Sequence, residues 1–530
     1  MRSILTRGIA LAVTIAVAFL FNFWGMPAWN LQSAGFWFYW ILVLTVGSLL
    51  MWIADEIADD DLEYKITIGG GILVGLILVV VLIGGLTSSL FQSSARRHTI
   101  AVENGNFEED VLRVQRAQDI PIVDMITARQ LGDRTMGAME RYQSQFEVDG
   151  EYNLIGYQGS YYRISPLNYG SFWKYRNSRN TGIPGYVLVN IYTQEARFVE
   201  LEQTIRYSPS ASFEHLLKRH LRKAYPSAIF GKEQFEIDEE GTPYWIVPIE
   251  RPTAGMFGAT VINRVILVNA VTGSMKDYAL EDVPEWVDHV FGVSYLMERV
   301  NWYYTYVHGY INFSNRDVRK TSYSFDKTQY YFVGKDDDVY LYTGITSAGK
   351  DESNFGFILA NTRTGEIRYY SDPGAEESSA QASAEGVVQQ FGYRAGPVML
   401  VNIDGMPTYF MTLKDNQQLV KKVALVNKNN YTIVVVEDNI ERAVSAYRQR
   451  LSGNAPTESA SSQGVISELY TAIKSGDTHY YFKIQGSNHL YVSSINNSDQ
   501  QVTMQIGDTV IFESIDIGDN TSMVTAIRIR

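Results

Sequence analysis

The chain has 530 residues, with 45 Lys and Arg against 58 Asp and Glu, a net charge of −13 and no cysteine. The missing cysteine excludes disulfides and thiolate chemistry. With 35 tyrosines, this balance suits an extracytoplasmic bacterial domain better than a cytoplasmic enzyme.

Three apolar stretches open the chain, Gly8 to Trp24, Gly35 to Ala54 and Ile66 to Leu86. Each approaches the roughly 20 residues an α-helix needs to cross about 30 Å of hydrocarbon. Residues 1–90 are therefore expected to form a three-helix anchor (8–24, 35–54, 66–86). No small-x-small cleavage site follows the first span, so it is read as retained. Trp24, Trp29, Trp37, Trp40, Trp52 and Tyr64 fall where headgroups should lie. Gly71 and Gly75, four apart in the third span, would let two helices approach closely, which makes them candidates for self-association.

Arg2, Arg7 and Lys65 face Arg96 and Arg97 across the anchor, and the positive-inside rule places the amino terminus in the cytoplasm and residues 87–530 outside. Acidic runs at Asp55–Glu63 and Asp336–Asp338 lack the glycine turn and spaced ligands of a calcium loop. They read as a solvated loop and as a turn before a strand.

Residues 91–152 read as a helical juxtamembrane segment. From Asn153 to Glu437 one pattern occurs four times, an apolar run, Asn, two residues, Thr or Asn, usually Gly, then a second run: Tyr186–Gln194, Val265–Gly273, Phe357–Gly365 and Val423–Tyr431. Asn and Thr side chains bond back to a hairpin turn, and Gly supplies a positive φ. Gln194 and Tyr431 break the glycine, which predicts looser turns in the first and last copies. Shorter hairpins precede each copy, at Gly159–Ile164, Gly241–Ile246, Asp338–Tyr342 and Gly405–Phe410. Helical stretches are predicted over Ile122–Tyr142, Ala211–Tyr225 and Ala380–Phe391. An aromatic helix in 283–320 bridges units 1 and 2 (153–282) to units 3 and 4 (321–451).

The strand Gly241–Trp245 and the hairpin Val268–Tyr278 resemble the PepSY family, small extracytoplasmic domains of protease propeptides and membrane-anchored bacterial proteins. The order of spans followed by four units also looks like an uncharacterised group of Firmicutes membrane proteins, some labelled as a colicin V production family. That label implies four spans, whereas three are visible here, and its function is not carried over.

Ser452 to Gln463 is too polar and small to order itself and reads as a flexible linker. Residues 464–530 carry five strand signals, Val465–Leu469, His479–Gln485, His489–Ser494, Thr509–Ser514 and Met523–Ile529, expected to form a small OB-like β-barrel. Acids outnumber bases in it, which disfavours nucleic acid. The fold class is thus α+β: three transmembrane helices, repeated helix-plus-antiparallel-sheet units and a five-stranded barrel.

No G-x-S-x-G, G-x-x-x-x-G-K, H-E-x-x-H or G-x-G-x-x-G motif occurs. His215 and His220, five apart on a predicted helix, point roughly 140° apart and read as surface groups. No catalytic residue, metal ligand or cofactor is expected. Candidate partner contacts are the basic stretch Lys218, Arg219, Arg222 and Lys223 and the barrel aromatics Tyr480, Phe482 and Tyr491. The sequence favours a non-enzymatic membrane protein that holds an envelope protein, protease or glycan. The alternatives are an envelope enzyme using carboxylates and tyrosines between units, or a transport-associated component.

Overall fold

The computed structural model describes residues 2–58, 63–322, 330–347, 353–451, 460–474, 477–495, 498–518 and 521–529, with no statement about the side chains of residues 59–72. The acidic residues Asp59, Asp60 and Asp61, and the environment of Gly71, therefore lie outside the described residues. Two compact units emerge: Met1–Lys422 with Val426–Tyr431, and Val423–Leu425 with Thr432–Arg530.

The first unit begins with helix α1 (Arg2–Gly25) and helix α2 (Ala34–Ala58), both long and apolar enough to cross a membrane. They lie side by side. Arg7 Nε meets Asp55 Oδ1 at 2.7 Å near one end, and Tyr39 donates to the Ala18 carbonyl at 3.2 Å toward the other. The third apolar stretch forms helix α3 (Glu63–Leu86), which bends by 45° into helix α4 (Ser89–Arg97). A Cβ on Gly75 would meet no atom of another element within 4 Å among the described residues.

Four largely antiparallel sheets follow, and the same strand plan occurs in each. A short strand pairs with a long strand, which pairs with a second long strand, and a small extra strand covers the far half of the first long one. In the first sheet these are 153–157, 160–169, 183–190 and 146–148. In the second they are 234–237, 243–252, 260–269 and 229–230. The third uses 331–335, 338–347, 353–361 and 319–321. In the fourth, 399–403 and 394–395 flank 406–414, which neighbours 420–427.

The hairpin turns follow from one side chain. Asn190 Oδ1 accepts from the backbone of Tyr192 and Thr193, Asn269 from Val271 and Thr272, Asn361 from Arg363 and Thr364, and Asn427 from Asn429 and Asn430, all between 2.8 and 3.0 Å. These are Asx turns, in which the carboxamide replaces a backbone acceptor. The expected loosening of the first turn does not occur: Gln194 takes φ +63°, beside +75° at Gly273 and +77° at Gly365. The Asn190 clamp holds a residue with a Cβ where the other copies use glycine.

The juxtamembrane segment holds helices Phe107–Asp110, Met125–Gly137 and Glu140–Gln143, and also two short strands. After α4, Val102–Asn104 pairs in parallel with Ile367–Tyr369 and forms an edge of the third sheet. The expected bridging helix is shorter, Val293–Thr305, and joins the sheets as predicted in kind. Arg299 Nη2 donates to the Thr260 carbonyl of the second sheet at 2.8 Å, while Asn301 Oδ1 accepts from the Thr321 amide of the third at 2.9 Å. It fills the place in the third unit that helices Met125–Gly137, Leu217–Ala224 and Glu377–Val387 fill in the other three. One continuous apolar core runs through the first three sheets, with Leu154, Val187, Ile246, Val265, Leu341 and Ile358 all sealed from solvent. The buried Lys414 to Asp124 ion pair ties the fourth sheet to the first-unit helix that Asp124 caps through the Thr127 amide.

In the second unit, a short strand Val434–Glu437 and helix Ile440–Leu451 precede five strands. These strands, 460–474, 477–484, 490–494, 509–518 and 521–529, pair in a circuit that returns to its first member. The polar tract therefore ends sooner than its composition implied. Ala460 to Gln463 are already strand, paired with Ile511 to Ser514.

Candidate functional site at the membrane face of the array

Helix Leu217–Ala224 reads L-K-R-H-L-R-K-A, and its apolar residues Leu217 and Leu221, one turn apart, are buried in the core under the second sheet. That fixes the four cations on the remaining faces. Two of them reach the end of the first helix. Arg219 is 9 % exposed, donates to the Phe23 carbonyl at 2.8 Å and stacks 3.9 Å from the Phe23 ring. Lys218 Nζ reaches the Gly25 carbonyl at 3.2 Å. Both carbonyls belong to the last turn of α1, where backbone acceptors have no helical partner, and cations there complement the helix dipole.

Arg222 folds back on its own helix. Its Nη1 donates to the carbonyls of Tyr225, Pro226 and Ala228 at 3.1, 3.1 and 2.6 Å, its plane lies over Phe230 at 4.5 Å, and its Nε is buried without a partner among the described residues. Burial draws its pKa downward. Of the four predicted contacts only Lys223 is both exposed and without an assigned role. The two histidines are not surface groups either. His220 Nε2 meets the Gly273 carbonyl at 2.7 Å and His215 Nδ1 meets the Tyr175 hydroxyl at 3.3 Å, with Tyr207 against both rings.

The α1–α2 connection completes the junction. The Trp29 amide donates to the Pro226 carbonyl at 2.9 Å and Asn30 Nδ2 to the Ser227 carbonyl at 3.1 Å. On the other side of the anchor, Arg96 and Arg97 of α4 stack on Trp302 and Tyr303 of the bridging helix, at 4.8 and 5.0 Å. Between α1, α2 and the basic helix lies an open groove of about 810 Å³. Its walls are Phe21, Trp24, Phe38 and Leu42 from the anchor and Leu216, Ile229 and Phe230 from the second unit of the array, and Lys218, Arg222 and Glu233 are its charged residues. The sequence carried the parts of this groove, an aromatic-rich span end and a basic amphipathic helix. Their meeting across about 190 residues left no local signal.

A second cluster joins the first three sheets. Glu236 accepts from the backbone amides of Asp288 and His289 at 2.8 and 2.7 Å, and Asp288 Oδ2 accepts from the Gly156 amide at 2.8 Å. The other Asp288 oxygen is buried without a partner among the described residues. Burial pushes the Glu236 carboxyl up to about 8 against its two amide bonds. Burial, then the neighbouring Glu236, raises Asp288 well above the carboxylate range. His289 Nε2 meets the Leu154 carbonyl at 2.7 Å, and burial holds the ring down to about 4. Two acids do converge between units, but Glu236 and Asp288 are 0 % and 1 % exposed.

The barrel aromatics expected to meet a partner are instead its core. Phe482 is fully buried, Tyr480 is 8 % exposed, and Tyr491 stacks on Phe482 at 5.6 Å and lies edge-on to Phe512 at 4.6 Å. Alternation puts them on the inner face of strands whose ring is closed. Asp336 and Asp337 form the positive-φ turn expected before the strand at Asp338. Among the described residues no group of three or more His, Asp or Glu is placed to hold a metal ion. No protein-family model matches this chain, and no curated protein has a sequence similar to it.

Proposed function

We propose that this is a non-enzymatic, membrane-anchored bacterial protein. In this reading three crossings hold an extracytoplasmic array of four PepSY-like units and an OB-like terminal barrel, and these bind or scaffold a cell-envelope protein, protease or glycan. The observation that carries it is the two-point seating of the array on its anchor. The α1–α2 connection meets the basic helix through Trp29, Asn30, Lys218 and Arg219, and α4 meets the bridging helix through Arg96 and Arg97. The end of α1, the start of α2 and the end of α3 thus all face the array, as an odd number of crossings requires. Such a mount sets the array at a fixed height and orientation above lipid, which suits holding a partner more than diffusing to one.

An enzyme using carboxylates between units is less well supported, because the converging pair, Glu236 and Asp288, is sealed from substrate. Chemical cross-linking of intact cells followed by purification of the full chain tests the scaffold reading. One envelope component recovered reproducibly at near-stoichiometric yield is expected, and recovery of the chain alone from every cross-linking chemistry overturns it.

A further inference from the structure

We infer that the groove between α1, α2 and the basic helix is a binding site for one anionic phospholipid drawn from the surrounding bilayer. One wall belongs to the apolar anchor itself: Trp24 and Phe38 are 64 % and 69 % exposed, so the groove is continuous with the hydrocarbon beside them. The opposite wall, Leu216, Ile229 and Phe230, comes from the array and offers an apolar lining beyond the end of α1. The volume of about 810 Å³ falls within the roughly 300–1,000 Å³ of small-molecule sites.

Charge selects the headgroup. Lys218 and Arg222 line the groove against a single acid, Glu233, and the helix carrying them has four cations and no acid. An ammonium has three donors, of which the Gly25 carbonyl takes one from Lys218. Arg222 brings a buried Nε that has no partner among the described residues. An acyl chain along Phe38 and Leu42 places a phosphate level with these two cations. A second copy of the chain or an apolar peptide would fill the walls without using the charge.

The test uses the full chain in non-ionic detergent, titrated with palmitoyl-oleoyl phosphatidylglycerol or its phosphatidylcholine counterpart and read by native mass spectrometry. One phosphatidylglycerol per chain is expected, retained at least about fivefold better than phosphatidylcholine, given about one kilocalorie per cation near an anionic surface. Lys218→Gln keeps a donor for the Gly25 carbonyl and should bring phosphatidylglycerol down to the phosphatidylcholine level. Gly35→Leu should abolish both adducts, since Gly35 lines the groove and a Cβ there would meet only Ser33 Oγ, at 3.5 Å, among the described residues. Equal retention of the two lipids by the unsubstituted chain, or adducts that survive Gly35→Leu, would sink the proposal. A measurement independent of variant folding is photolabelling of the unsubstituted chain with a phosphatidylglycerol bearing a diazirine in its acyl chain. Label on Ile229 to Gly231 supports the site, and label confined to the three apolar helices overturns it.

Discussion

Gly273 is the residue whose replacement the turn geometry forbids most directly. Its φ is +75°, and a Cβ there would sit 2.3 Å from the Tyr207 ring, which also packs on His220. A left-handed L-residue already loses about 1–2 kcal/mol, so Gly273→Ala is expected to destabilise by at least ~2 kcal/mol, read as a lower melting temperature of the detergent-solubilised chain. Gln194 occupies the equivalent position with the strain unrelieved, and Gln194→Gly should stabilise by about 0.5–1 kcal/mol. Opposite signs from the two substitutions are the check. If both destabilise, the turns are not equivalent.

The sealed acid pair makes a second residue-level prediction. With carboxyls raised well above their ordinary values, the unfolded chain sheds protons that the folded one keeps. Their contribution to stability is complete below about pH 4.5 and is lost as pH rises toward about 8. His289 acts the other way, because a ring held down to about 4 loses stability as pH falls below 6.5. The two slopes oppose each other between roughly pH 4.5 and 6.5, and above that only the acids act. Asp338, Arg363 and Tyr161 also bear on this pair, and Arg163 bears on His289. Asp288→Asn keeps an acceptor for the Gly156 amide and removes the charge facing Glu236. It should raise the melting temperature at pH 8 by ~1 °C, equivalent to about 1 kcal/mol for a chain of this size, and flatten the fall between pH 6.5 and 8. An unchanged slope in the variant would mean that other groups set it.

At the level of elements, helix Leu217–Ala224 is the joint between anchor and array, and Arg219 is its pivot. Arg219→Ala removes a part-buried hydrogen bond to Phe23 and a stacking contact at 3.9 Å. It is expected to cost about 2–3 kcal/mol and to speed limited proteolysis of the loop around Pro226. Unchanged cleavage there would show that Trp29 and Asn30 alone hold the joint. Apolar periodicity placed this helix correctly through Leu217 and Leu221. It could not say what covers the cations, because a basic face against solvent and one against the carbonyls ending another helix read alike. The Asn-centred turns were legible for the opposite reason, since donor, acceptor and bend all lie within four residues. Tyr480, Phe482 and Tyr491 misled because aromatic strands alternate in the same way whether the rings face a ligand or a barrel interior. The aromatic helix was found within its predicted span, but its bonds to Thr260 and Thr321 were not legible, since those residues lie well outside the helix on either side.

For the whole molecule, the proposed sidedness has its own test. A cysteine placed at the exposed Lys223 should react with a membrane-impermeant maleimide in intact cells, the natural chain having no thiol to compete. Labelling only after cell lysis would put the array in the cytosol and remove the envelope role. The anchor's apolar length was plain from composition alone, since hydrocarbon tolerates few other sequences. How the array sits on it was not, because every contact of the joint is long-range.

The parallel pairing of Val102–Asn104 with Ile367–Tyr369 imposes an order on biogenesis. The strand that follows the apolar helices must wait for a partner made about 265 residues later, roughly 10–50 s at ordinary rates of synthesis. During that interval its backbone is an open hydrogen-bonding rail beside the lipid. The nascent chain has that window in which any helper that shields such an edge must act.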